Sequence, residues 1–240
     1  MKYLFPLIAL LFVTAQVSAQ KEEFDDLLIL YVDEDYEKLI SKAEKYADND
    51  NYRKHPEPYL YLAKAYYEMS LKEEYAADYP KAFRSALKNA AKYRKKDKEL
   101  EYWAENEAFF AALRKASMEE AEMYLSEEDY SKASRVYDGI IDFDPEDTGA
   151  HFLYGYTLFK LNRQGEADVI IKAGSNLLAT LDIGDLDEDQ QRLLKYGLIY
   201  YSEYLYESGR ADSAQVTMEF GQPYFKEDNE FRLTYEDVHK

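Results

Sequence analysis

A chain of 240 residues with no cysteine excludes a disulfide framework, thiolate metal ligation and thiol catalysis. Its 48 acidic against 30 basic side chains, a formal charge of −18, repel nucleic-acid phosphates and anionic lipid, so neither is an expected partner. Hydrophobic residues at 47%, with 25 Tyr and 12 Phe, set it apart from disordered acidic chains and supply a core.

The N-terminus decides the compartment. Lys2 precedes the apolar run Tyr3–Val13, and a polar stretch ends in Val17-Ser18-Ala19-Gln20. A short positive region, an apolar stretch of about ten residues and small residues at a cleavage point predict a secretory signal peptide. Cleavage is expected between Ala19 and Gln20, leaving residues 1–19 behind. The run falls short of the roughly 20 apolar residues that cross a bilayer. No cysteine follows the cleavage point for lipid attachment. The mature chain is therefore expected to be periplasmic or secreted, without stable membrane insertion after signal cleavage.

Gly (9) and Pro (6) are scarce in the whole chain, and beyond residue 20 apolar residues recur at three- and four-residue spacing. Tyr130, Ala133, Val136, Tyr137, Ile140 and Ile141 share one helical face, and the same period elsewhere predicts an all-α chain. A short pattern also repeats. Asp35-Tyr36-Glu37-Lys38-Leu39 is followed by Asp78-Tyr79-Pro80-Lys81-Ala82 and by Asp129-Tyr130-Ser131-Lys132-Ala133. It drifts to Arg163-Gln164-Gly165-Glu166-Ala167 and Arg210-Ala211-Asp212-Ser213-Ala214. Ala133 lies twelve residues after Ala121, and Pro145 twelve after Ala133.

With these residues the sequence resembles the tetratricopeptide repeat (TPR) family, whose unit of about 34 residues is a helix–turn–helix. The resemblance implies a right-handed α-solenoid of about five hairpins, in units near 20–53, 56–96, 114–147, 148–181 and 195–228, with a polar tail over 229–240. Small residues fill the two slots where paired helices would cross: Ala121 and Ala133, Gly155 and Ala167, Ser202 and Ala214. The earlier units are looser, with Leu27 and Leu39 in one and Ala63 and Ala82, nineteen apart, in the other. Three departures stand out. Seven residues are inserted around Ser70–Tyr79; an extra or extended helix runs near 97–126; and Thr180–Asp189 reads as an acidic loop whose Asp187 or Asp189 caps the next helix.

Chemistry is sparse. His55, His151 and His239 lie far apart and form no His-x-x-x-His or His-Glu pair, so they read as packing or surface residues. Among 48 acids no pair is singled out for glycoside hydrolysis, and Asp182–Asp189 lacks the sixth-position Gly and twelfth-position Glu of a calcium-binding hand loop. Asp142–Asp147 reads as a turn, with Pro145 stopping one helix and acids starting the next. No catalytic residues, no metal and no cofactor are expected; the chain reads as a non-enzyme.

The resemblance implies a working surface on the concave face, lined by the first helix of each unit. Carried over position by position, it comprises Leu60, Lys64 and Tyr67; Met118, Glu122 and Leu125; Phe152, Tyr156, Phe159 and Lys160; and Tyr196, Ile199, Glu203 and Tyr206. An aromatic lining with scattered charge suits a protein or peptide ligand. The expected function is a scaffold that binds a partner through this groove. A structural subunit of a cell-envelope assembly, in outer-membrane insertion or secretion, is the alternative, and a helical carbohydrate-active hydrolase ranks below both.

Overall fold

The computed structural model describes residues 24–240, so the expected signal peptide lies outside the described residues. These fold into eleven α-helices, and no strand occurs among them. The chain divides into two units, the first ending at Trp103 and the second running over 104–240. The first contains α1 (Asp25–Val32), α2 (Tyr36–Asp48), α3 (Glu57–Ser70) and α4 (Ala82–Lys96). The second contains α5 (Glu107–Ser126), α6 (Tyr130–Phe143), α7 (Thr148–Lys160), α8 (Gln164–Leu178), α9 (Glu188–Glu207), α10 (Ala211–Phe225) and α11 (Asn229–Val238).

Four of the connections are the same turn. Glu34, Glu128, Asn162 and Gly209 each take a left-handed backbone, with φ of 58°, 56°, 59° and 74°, between α1 and α2, α5 and α6, α7 and α8, and α9 and α10. In each, the following residue's N–H reaches back five residues: Asp35 to Leu30 O, Asp129 to Tyr124 O, Arg163 to Leu158 O and Arg210 to Leu205 O, at 2.8–3.0 Å. This bond satisfies a carbonyl that the ending helix leaves orphaned, and the left-handed residue reverses the chain. The next helix then starts at once. Asp129 accepts the Lys132 N–H at 3.0 Å as its cap. The second hairpin departs from the pattern, because residues 71–81 separate α3 from α4 and hold a 3₁₀ turn over Glu73–Tyr75. The Asp78-Tyr79 copy of the short motif lies in this insertion and starts no helix, since α4 begins only at Ala82.

Within the first unit each helix packs on its neighbour in sequence, and α1 also meets α3. Leu27, Leu39, Ala43, Ala63, Ala86 and Ala90 are fully buried there. The Tyr93 hydroxyl donates to Asp97 Oδ2 at 2.6 Å, while Asp97 Oδ1 accepts the Glu101 N–H at 2.8 Å, pinning the segment after α4. In the second unit α7 is central, packed by α6, α8 and α9, while α9 also reaches α5, α10 and α11. All the small residues of the expected crossing slots, Ala121, Ala133, Gly155, Ala167, Ser202 and Ala214, are buried. A β-carbon on Gly155 would come within 2.5 Å of the Ile171 side chain, so Gly at this slot sets the approach of α7 to α8. Phe110 stacks on Phe143 at 6.0 Å, and each such buried ring contributes about 1.5–3 kcal/mol.

One open reading of the sequence is narrowed and another changes. Residues 97–126 hold one helix, α5, preceded by a 3₁₀ turn over Ala104–Asn106. The expected polar tail is instead mostly helix: α11 carries Phe231 and Val238 into the core, and Asp228 caps it by accepting the N–H groups of Glu230 and Phe231. The periodicity of Phe231, Thr234 and Val238 is masked by the charges between them. The acidic loop before α9 behaves as read, for Asp187 accepts the Gln190 N–H at 2.8 Å and the Gln190 side chain accepts the Asp187 N–H at 3.3 Å. No helix among the described residues is long and apolar enough to cross a membrane.

Candidate functional site

The fourteen positions carried over from the repeat pattern separate into a core set and an open set. Leu60, Met118, Phe152, Phe159 and Ile199 are buried and belong to the packing. The correction has a simple cause. Ten of the thirteen residues of α7 are buried because the helix has neighbours on three sides, which leaves little of it free to meet a ligand. Phe152 meets Gly197, and Phe159 stacks on Tyr204 at 4.3 Å. In the first unit, Lys64 is half-buried with its ammonium 5.6 Å from the Tyr31 ring, and burial lowers its pKa. Tyr67 is half-buried on the same helix.

The open set of the second unit comes together around a row of tyrosines. Tyr156 from α7 stacks on Tyr200 from α9 at 5.2 Å with the planes 18° apart, and Tyr200 continues to Tyr196 at 6.1 Å. At the other end Tyr130, at the start of α6, meets Tyr156 edge-on at 6.2 Å. The exposed Lys160 places its ammonium 5.4 Å from the Tyr130 ring and 5.9 Å from the Tyr156 ring. Lys195 lies 4.5 Å from the Tyr196 ring. Offset stacking and cations over ring faces hold such a row in one geometry. Burial raises the Tyr156 phenol well above its ordinary pKa, with Tyr130 adding to the effect, and pushes Tyr200 up to about 12. Both therefore remain neutral hydrogen-bond donors across the physiological range.

Beside this row a cavity of about 190 Å³ opens between α5, α6, α7, α9 and α11. Met118, Leu153 and Leu193 give it apolar walls; Tyr137, Tyr196 and Tyr200 supply rings; and Glu122 and Glu230 supply carboxylates. Glu122 Oε2 accepts from Arg192 at 2.6 Å, whereas its Oε1 is buried without a hydrogen-bond partner. Burial raises the Glu122 pKa, against the pull of Arg192. Glu203 and Tyr206 are exposed further along α9, where Glu203 accepts from Thr234 at 3.2 Å; Leu125 is half-buried near the end of α5.

Sequence reasoning did not find Tyr130, Tyr200, Arg192 or Glu230. Tyr200 follows Tyr196 by four residues, and that spacing alone places them on one face. Tyr130 and Glu230 could not be found so, since they arrive from other helices. The histidines are separate: His151 is buried with Nδ1 2.9 Å from the Asp147 carbonyl, His55 packs by Phe24, and His239 stacks on Tyr235. Comparison of the chain with protein-family models, curated proteins and solved structures finds no match in any of the three.

Proposed function

We propose that this protein is an exported, non-catalytic scaffold, a right-handed solenoid of TPR-like hairpins that holds a partner protein by an extended segment laid along the tyrosines of the second unit. The tyrosine row carries the reading. Four half-buried rings from three helices form a continuous face with fixed cations, and neutral phenols can donate to the backbone carbonyls of a bound chain. Tyrosine loses little conformational freedom on binding and offers large contact area, which is why such surfaces suit peptides. The recurrence of one left-handed turn at four hairpins supports the solenoid.

The test is a photo-crosslinking amino acid placed in living cells at Lys160, beside the row, and at Lys172, exposed on α8. A discrete adduct is expected at position 160, absent at 172 and abolished by Tyr156→Ala in a protein that still folds. Equal labelling at both positions, or labelling indifferent to Tyr156→Ala, would rule the face out. A second reading, the subunit of a cell-envelope assembly, is favoured by a separate observation. Val216, Phe220 and Tyr224 are exposed at four-residue spacing along α10, forming an apolar stripe on another face. A crosslinker at Phe220 that captures a further protein would support it.

A further inference from the structure

We infer that the cavity beside the tyrosine row is a pocket for a basic side chain, arginine or lysine, of the bound partner; this deepens the scaffold reading and rests on it. The argument is one of complementarity. A carboxylate can only accept hydrogen bonds, so an occupant reaching Glu122 Oε1 must bring a donor. That oxygen is buried without a partner, a costly state that a donor from a ligand would relieve. The neighbouring cations are already committed, Arg192 to the other oxygen of Glu122 and Lys195 to Asp228 at 2.6 Å. Glu230, exposed where the cavity meets solvent, adds a second carboxylate, so an anionic occupant is repelled.

The remaining walls fit the rest of such a side chain. The rings of Tyr196 and Tyr200 border the cavity, and Met118, Leu153 and Leu193 match a methylene stem. At about 190 Å³ the cavity has the volume of about six waters, enough for the end of one long side chain and too little for a folded element. Its position against Tyr196 and Tyr200 makes it continuous with the row on which the partner's backbone would lie. The acidic balance of the whole chain favours the approach of a basic segment. A further cavity of about 250 Å³ in the first unit, between Glu44, Asp48, Lys88 and Lys92, has both signs of charge in its lining and offers no comparable selectivity.

The experiment titrates the mature protein, labelled at its methionine methyl carbons, with N-acetyl-arginine amide, N-acetyl-lysine amide and the neutral isostere N-acetyl-citrulline amide. The Met118 methyl resonance is expected to shift saturably with the two basic probes, and at least tenfold more weakly with citrulline. Glu122→Gln and, independently, the exposed Glu230→Gln should each weaken the basic probes several-fold while the other methionine resonances keep their folded positions. Equal affinity for citrulline, no saturable shift at Met118, or full affinity in Glu230→Gln would overturn the assignment. Tighter binding of tetramethylammonium than of either amino-acid probe would also overturn it, by making the occupant a free organic cation. Failure here with partner capture intact at position 160 removes the pocket and leaves the scaffold. Saturable arginine binding with no capture at position 160 removes the scaffold and leaves the pocket.

Discussion

Arg114 is the residue on which the second unit turns. Its side chain is 5% exposed and lies among three carboxylates from two turns, Asp144 and Asp147 before α7 and Asp187 before α9. It donates to Asp144 Oδ2 at 2.7 Å and to Asp187 Oδ2 at 2.8 Å, and its Nε lies 3.3 Å from Asp147 Oδ2. Asp147 and Asp187 also cap α7 and α9, so one guanidinium fixes where two helices begin relative to α5. Losing the cation would leave buried negative charge uncompensated. Arg114→Leu is expected to cost about 3–5 kcal/mol at pH 8, read from urea unfolding. Burial, with repulsion from Asp144, pushes Asp147 up to about 7 against the attraction of Arg114. Its ordinary value is near 3.8, so between about pH 4 and 7 the folded state holds a proton that the unfolded state has lost. This contribution to stability is therefore full below about pH 4 and disappears as pH rises through 7. Asp147→Asn keeps an oxygen to cap Ala150 but has no proton to lose. It should flatten the fall in stability between pH 5 and 8 by on the order of 2 kcal/mol. Identical slopes in the two proteins would show that Asp147 stays ionised throughout.

At the scale of the element, the tightest constraint is the crossing of α7 and α9. A β-carbon on Gly149 would lie 2.3 Å from the backbone of Leu193 and Leu194, and one on Gly197 would lie 2.8 Å from Phe152 Cβ. Backbone cannot rotate aside, so Gly149→Ala must push the helices apart and should cost about 3 kcal/mol. Gly165, in α8, faces open space, and Gly165→Ala is expected to stabilise by about 0.5–1 kcal/mol through helix propensity alone. Thermal melts of the two variants should move in opposite directions; a shared sign would refute the packing argument. Much of this level was readable beforehand. The twelve-residue spacing of Ala121 and Ala133 located a helix pair, and Asp187 was recognisable as a cap, because both signals are local. Gly149 and Gly197 were not recognised, since they answer to a helix 40 or more residues away in the chain. The five groove positions that are buried, Leu60, Met118, Phe152, Phe159 and Ile199, were misread for the same reason. A repeat pattern says which residues share a helix face, but not whether a third helix covers that face, and Phe152 and Ile199 are covered. Arg114 left a trace, a lone charge among Phe110, Leu113, Ser117, Met118 and Ala121, yet its three partners come from 30 to 73 residues away.

Over the whole molecule, two electrostatic effects oppose each other, and their magnitudes decide which prevails. Favourable pairs are numerous at the surface, among them Lys132–Asp129, Arg163–Glu166 and Arg232–Glu236, each with both side chains substantially exposed. Such pairs contribute about 0–1 kcal/mol each, and salt weakens them. Against them stands a net charge of −18, whose self-repulsion acts between every pair of unmatched carboxylates and is released when the chain expands. The Arg114 cluster is screened little, because burial keeps counterions away. Added salt therefore removes more repulsion than attraction. Raising NaCl from about 20 to 200 mM shortens the Debye length from roughly 20 Å to under 10 Å. A gain of about 1 kcal/mol from this screening should raise the melting temperature by about 2–4 °C for a chain of this size. Near pH 4.6, the isoelectric point, the net charge vanishes and the same salt step should produce no rise. A melting temperature at pH 8 that falls with salt would mean that the surface pairs are cooperative networks, and that the acidic balance stabilises rather than strains the folded chain.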